Sequence, residues 1–270
     1  MRIQEINIPL SVENETPKHC MFEFIYFANP VSNIDSRLVH SVRVELGKKI
    51  AHQILDSGDN WDIVVPVPDT SRIAAQAIAE EMNIPFVEAI IKNRYMHRTF
   101  IMENPGMRSE FASQKYLYIQ ELVEGKSVLV VDDSIVRGLT SKLIVRHLFD
   151  LGVKEVGFAV TSPPIRYPCY YGVDFSTRKE LIANEKTIEQ ICIWLDATKL
   201  YYLKNDDLKE SIGLPICDAC ITSDYPTSYG KKLSEMSSSG TLDNSNRDYE
   251  QIGASHVITS KPVLEGMKNK

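Results

Sequence analysis

The sequence predicts an α/β fold in which a parallel sheet is flanked by helices. Three observations lead there. Short apolar runs at 61–67, 127–133 and 156–162 have strand length and almost no alternation, as strands buried on both faces do. Segments of helical period separate the runs. Turn-forming Gly and Pro residues stand at the joins.

Residues 1–19 are polar and mixed and form a lead-in. MFEFIYFA (21–28) is aromatic and β-prone, so a strand is expected there. Residues 36–58 should be helical, because Leu38, Val42, Leu46, Ile50 and Ile54 make one stripe at spacing four, closed by Gly58. WDIVVPVPDT (61–70) is a strand running into a Pro-containing loop. The Ala-rich stretch 71–82 is helical and 84–91 is a further strand. Residues 93–120 have no clean period and many charges and aromatics, the pattern of a long functional loop. SVLVVDD (127–133) is a buried strand, SIVRGLTS a loop, 142–151 a helix stopped at Gly152, and VGFAVTS (156–162) the next strand. Beyond Pro163 the pattern changes to loops and two short helices, 178–184 and 187–195, then a cysteine-bearing turn at 216–226. The division is a lead-in (1–19), a core (20–165), a C-terminal subdomain (166–231) and a Ser- and Asn-rich tail (232–270) expected to lack stable structure.

Composition narrows the function classes. The 270 residues carry a formal charge of −6, against the basic face of a general nucleic-acid binder. The chain has no run long enough to cross a membrane, and its first residues lack a signal-peptide core, so a cytoplasmic protein is expected, with neither nucleic acid nor membrane as partner. Five cysteines, an odd count, do not suggest a disulfide framework and leave free thiols or a metal site.

The most informative string is VLVVDDSIVRGLTS (128–141). A buried strand delivers Asp132 and Asp133 to its carboxyl end, where ligands bind in open α/β sheets. The loop after it is small and polar, and Gly138 can adopt positive φ. The next helix begins with free N–H groups, which favour a phosphate. The acidic pair suits vicinal sugar hydroxyls or a divalent cation. An Asp-Asp turn with a capping Ser is the ordinary alternative, but it does not account for the whole string.

VVDDSIVRG resembles the motif that binds 5-phosphoribosyl-1-pyrophosphate (PRPP) in type I phosphoribosyltransferases, in the form used by glutamine PRPP amidotransferases. The resemblance implies the type I phosphoribosyltransferase fold, a lid loop, and a small C-terminal subdomain bearing a cysteine cluster. It implies a PRPP-dependent pentosyltransferase of nucleotide or nucleoside biosynthesis. Asp132 and Asp133 would meet ribose hydroxyls and magnesium, and the loop residues Ser134, Arg137, Gly138, Leu139, Thr140 and Ser141 would cradle the 5-phosphate. Leu139 stands where the family usually has Thr. PVPDTS (66–71) resembles the pyrophosphate loop, with Ser71 near magnesium. KNRYMHRTFI (92–101) resembles the catalytic lid, with Lys92, Arg94, Tyr95 and Arg98 at matching positions and Met96 and His97 in place of Val and Gly. Arg108 and Lys115 match downstream basic positions, whereas Ser113, Tyr116 and Leu117 depart from the family. FEFIYFANPVS (22–32) resembles FEYIYFARPDS, and Arg43 and Gly47 fit the helix that follows.

Some family members hold a [4Fe–4S] cluster on four cysteines, and Cys20, Cys169, Cys217 and Cys220 stand at all four positions. Zinc on the same residues and buried free thiols are the alternatives. Cys192, in an apolar helical context, is read as a core residue. The resemblance runs from 20 to 228 and covers the phosphoribosyltransferase half, so glutamine hydrolysis is not expected of this chain. The expected acceptor is a nitrogen heterocycle of purine or deazapurine type. The alternatives are ammonia, free or from a separate source, giving phosphoribosylamine, and a regulator that only binds PRPP. By the same resemblance the chain is expected to form a homo-oligomer.

Overall fold

A computed structural model of the chain describes residues 17–94, 115–173 and 178–239. In chain order the labelled elements are β1 (His19–Cys20), β2 (Asn33–Ile34), β3 (Arg37–Leu38), α1 (Val39–Ser57), β4 (Ile63–Pro66), α2 (Arg72–Met82), β5 (Ile90–Lys92), β6 (Tyr116–Tyr118), α3 (Gln120–Val123), β7 (Ser127–Asp132), α4 (Leu139–Asp150), β8 (Glu155–Val160), α5 (Ile182–Glu185), α6 (Ile188–Leu195), β9 (Lys199–Tyr202), α7 (Asn205–Ile212), β10 (Ile216–Cys217), α8 (Ala219–Thr222) and α9 (Ser228–Ser238).

The centre is a four-stranded parallel sheet ordered β4–β7–β8–β9. Side chains of β7 alternate between two apolar layers. Leu129 and Val131 face the layer that includes Leu46, Ile50 and Ile78 of α1 and α2. Val128 and Val130 face the layer that includes Ile144, Leu148, Ile191 and Leu195 of α4 and α6. All four β7 residues are fully buried, at about 1.5–3 kcal/mol of transfer free energy each. This two-sided burial is why the strand reads as a continuous apolar run.

α1 and α2 meet at Gly47, where a Cβ would stand 2.4 Å from the Ala74 carbonyl oxygen. The helices could not keep this approach with any larger residue. Gly47→Ala is therefore expected to lower unfolding free energy by about 1–3 kcal/mol in denaturant titrations. An unchanged midpoint would show that the contact is looser than drawn.

Several sequence expectations are corrected. The strand expected at 21–28 is instead a π-type helical turn, Glu23–Phe27, closed by the Ala28 N–H donating to the Glu23 carbonyl at 3.0 Å. Tertiary packing overrides the β-propensity: Met21, Phe22, Phe24 and Ile25 are buried, and Arg43 binds the turn's carbonyls. The strand expected over 84–91 contributes only a bridge of Phe86 to Val64 before β5. Pro85 has no N–H for a ladder. The helix expected from 142 starts at Leu139. The tail expected from 232 is helical as far as Ser238, because Leu233 packs inward and Thr227 caps the helix by accepting the Gly230 N–H. No helix among the described residues is long and apolar enough to cross a membrane.

Candidate active site

The carboxyl ends of β4 and β7 open onto one cleft of about 750 Å³. Its floor is the run Asp132 to Ser141, and Val67, Pro68, Asp69 and Thr70 form the opposite rim. Lys92 and Tyr116, paired across β5 and β6, and the adjoining Lys115 close a third side. Phe22, Tyr26, Phe27 and Val173 complete an apolar wall.

Asp132 and Asp133 both reach the cleft, as expected from the sequence. The Asp133 N–H donates to Asp132 Oδ1 at 2.9 Å, and Ser134 Oγ donates to Asp133 Oδ1 at 2.7 Å. Burial and the neighbouring Asp133 hold the Asp132 carboxyl well above the usual carboxylate range. The Asp133 N–H and Lys115 pull it part of the way back. Burial also raises Asp133, against the Ser134 hydrogen bond and the charges of Arg43 and Lys115. Two enclosed carboxyls side by side favour an arriving cation or hydroxyl donors.

Gly138 has φ +78° and immediately precedes α4. Its left-handed turn swings the chain from the strand end into the helix. The first backbone N–H groups of α4, at Leu139, Thr140 and Ser141, are left without intrahelical partners beside the cleft. Unpartnered N–H groups at a helix start suit an anion. Leu139 is 62% exposed and offers no hydroxyl.

Lys92 pairs with Asp69 at 3.0 Å across the cleft mouth. Lys115 lies 5.0 Å from the Tyr116 ring centre. Arg94 is exposed but is not among the cleft's lining residues. Ser71 is buried, its hydroxyl donates to the Val67 carbonyl, and it too is absent from the lining. Tyr95, Met96, His97, Arg98, Arg108 and Ser113 lie outside the described residues.

The sequence reading missed the role of Arg43. It is buried within the apolar helix α1, and its guanidinium donates to the Phe24 and Ala28 carbonyls at 2.9 Å each. It fixes the turn carrying Phe22, Tyr26 and Phe27 while its charge faces Asp133. A lone cation one residue from Val42 in an apolar stripe was the available signal.

The four cysteines Cys20, Cys169, Cys217 and Cys220 line a second cavity of about 830 Å³, which shares Phe22, Phe27 and Val173 with the cleft. The parallel pair β1–β10 sets Cys20 opposite Cys217. All four are free of disulfides. The Cys169 sulfur accepts the Tyr171 N–H at 3.4 Å, and the Phe22 and Ala219 N–H groups hold the Cys20 and Cys217 thiols lower than burial alone would, in each case from two residues on. Burial pushes the Cys20 thiol up to about 11 and raises Cys217 and Cys220, with further contributions from the neighbouring cysteines. Among the described residues, no group of three or more His, Cys, Asp or Glu side chains converges as a single metal ion would require. Cys192 sits apart on α6, donating to the Ala197 carbonyl at 3.3 Å.

With this geometry in view, the comparisons with known proteins are specific. Residues 40–190 match the phosphoribosyl transferase domain. The chain belongs to the phosphoribosyl transferase family. It is 40% identical over 225 residues to the amidophosphoribosyltransferase of Methanothermobacter thermautotrophicus, covering 82% of this chain and 47% of that protein. The Pyrococcus horikoshii amidophosphoribosyltransferase is 46% identical over 209 residues, covering 77% and 45%. A Bacillus subtilis glutamine PRPP amidotransferase, solved with ADP and GMP, superposes with a TM-score of 0.70 at 43% identity, covering 78% of this chain and 47% of that one. The chain spans about half the length of these relatives. The type I phosphoribosyltransferase fold, with its parallel sheet between helices, is the fold that the sequence predicts.

Proposed function

We propose that this protein transfers 5-phosphoribose from PRPP to a nitrogen nucleophile with release of pyrophosphate. The observation that carries the reading is the meeting, in one cleft, of an enclosed carboxylate pair and a helix-start anion site on a single loop. The 5-phosphate would sit against the N–H groups of residues 138–141, with Ser134, Arg137 and Thr140 alongside. Asp132 and Asp133 would orient the ribose hydroxyls and hold magnesium, whereas Ser71, assigned to magnesium from the sequence, gives its buried hydroxyl to the Val67 carbonyl and does not line the cleft. Magnesium would supply charge stabilisation to the departing pyrophosphate.

The C1–oxygen bond to pyrophosphate breaks, and its electron pair leaves with that group. The nitrogen lone pair forms the new C1–N bond, and the nitrogen then releases a proton to water. Lys92 and Lys115 would meet the leaving charge, Arg94 and Arg98 are assigned the same task, and Tyr95 is assigned to substrate binding. Charge builds on C1 as the bond breaks, so exclusion of water matters.

The acceptor is read as a planar nitrogen heterocycle. Phe22, Tyr26 and Phe27 form one wall, and the last two are each 49% exposed, leaving ring surface for stacking. A second reading, ammonia as acceptor with phosphoribosylamine as product, is supported by the similarity to amidophosphoribosyltransferases. An acceptor screen separates them. PRPP and magnesium are supplied with ammonia, glutamine or a panel of purine and deazapurine bases, and pyrophosphate release is followed. Release with a base is the expected result. Release with ammonia alone replaces the acceptor assignment, and tight PRPP binding without release under any condition makes the protein a PRPP-binding regulator.

A [4Fe–4S] cluster is proposed on Cys20, Cys169, Cys217 and Cys220. The reading is supported by four free thiols around one cavity and by N–H donors to three of the sulfurs, an arrangement that favours thiolate ligands. The cluster would serve structurally, tying β1 to the segment around α8. Cytoplasmic location and a homo-oligomeric state are proposed on the same family grounds.

A further inference from the structure

We propose that Trp194 is a positioning residue for the 5-phosphate subsite, acting through the loop that ends at Gly138, an inference that rests on the PRPP reading above. A Cβ at Gly138 would come within 2.8 Å of Trp194 Cζ3 and 3.0 Å of Ile182 Cδ1. The left-handed turn at Gly138 therefore lies flush against the indole. One helical turn further on, the Lys142 N–H donates to the Gly138 carbonyl at 2.8 Å. The Lys142 ammonium donates to the Trp194 carbonyl at 2.6 Å and lies 4.8 Å from the indole ring centre. The Ile182 N–H donates to the Val136 carbonyl at 2.9 Å. The segment carrying α5 and α6 thus touches the loop and the start of α4 at three points, Val136, Gly138 and Lys142.

This backing matters for binding because phosphate affinity comes from several N–H groups aimed at one point. Convergence is kept only while the Gly138 turn holds its shape. Leu139 adds no hydroxyl, so the burden on backbone direction is greater than in a loop with Thr at that position. Trp194 is partly buried and packs both on the apolar layer of α4 and α6 and on the Gly138 turn.

The loop holds only the phosphate end of the donor. Pyrophosphate is assigned by the PRPP reading to the rim at 67–70, on a different strand end. The test exploits that separation. Ribose 5-phosphate and inorganic pyrophosphate are titrated calorimetrically into wild type, Trp194→Ala, Trp194→Phe and Lys142→Met, and PRPP kinetics are measured alongside. Trp194→Ala should weaken ribose 5-phosphate and raise KM for PRPP roughly tenfold, with kcat and pyrophosphate affinity within about twofold of wild type. Trp194→Phe should restore most of the loss, because a ring still backs the turn. Unchanged ribose 5-phosphate affinity, or equal loss for both probes, overturns the proposal. If Trp194→Ala does not fold, Lys142→Met decides: selective loss of ribose 5-phosphate supports the backing role and no loss overturns it. Wild type that binds ribose 5-phosphate but releases no pyrophosphate from PRPP would sink the transfer reading instead, and the variants would still report on the loop.

Discussion

Asp133→Asn should lose on the order of 10²-fold or more in kcat/KM for PRPP, the scale of removing one preorganised electrostatic contact from a reaction centre. The substitution keeps the shape of the side chain and its acceptance of the Ser134 hydroxyl bond. It removes a negative charge beside Asp132. The ligand-free protein should therefore become more stable while it becomes less active. Both carboxyls are raised in the folded state, chiefly by burial, with Asp133 the second contribution at Asp132. The folded protein then binds these protons more tightly than the unfolded chain does. Their contribution to stability is present below the ordinary carboxylate range and is lost as pH rises through the raised folded values. Melting curves of wild type and Asp133→Asn, taken without magnesium between pH 4 and 8, should converge at the acid end. They should separate towards pH 8, with the variant melting higher. A variant of near-wild-type kcat/KM would falsify the site assignment. A variant that is inactive and also less stable at pH 8 would show that the carboxylate is a structural anchor.

The strand ends that carry this pair were legible because both sides of β7 are buried, which writes an unbroken apolar run into the sequence. Gly138 was legible for a related reason, since φ +78° leaves few other residues. Thr187 is a further local signal: it caps α6 by accepting the Gln190 N–H, while Gln190 reaches back to the Thr187 N–H. What was not legible depends on partners distant in the chain. The aromatic run 21–28 has strand propensity, and only Arg43 on α1 and the surrounding core turn it helical. β9 is an edge strand of four residues whose identity comes from its ladder with β8, not from a periodic pattern. Tyr116 departs from the family in the sequence, but its place on the cleft wall follows from pairing with Lys92 across β5 and β6. The backing of the phosphate loop by Trp194 joins residues that no local pattern connects.

Protein prepared without oxygen should be brown and contain about four irons per chain, and Cys220→Ser should be colourless and melt well below wild type. The physical case begins with the ligand-free thiols. Cys220 is buried, and its thiol is raised well above its ordinary range by burial and by Cys169, Cys20 and Cys217. Four ionised sulfurs could not share this cavity without a compensating cationic group. Yet the N–H donors at Cys20, Cys169 and Cys217 are arranged for negatively charged sulfur. The two facts are reconciled if the thiolates form together with a bound group. Such a group binds the folded chain and not the unfolded one, so its binding free energy adds to stability. The gain falls where local packing is thin. β1 and β10 pair over only two residues each, joining the start of the described chain to the segment at Ile216–Cys217. The Cys220 carbonyl accepts the Arg166 and Tyr167 N–H groups at 2.9 Å each, and the Arg166 side chain donates to the Ala183 carbonyl at 3.0 Å. Loss of the group should therefore loosen the segments around the cysteines first, seen as faster amide exchange at 166–169 and 216–222 before the sheet responds. Metal analysis and visible absorption decide the chemistry. A colourless, iron-free protein carrying zinc would replace the cluster with a zinc site, and an iron-free, zinc-free protein of unchanged stability would leave the four cysteines as buried thiols.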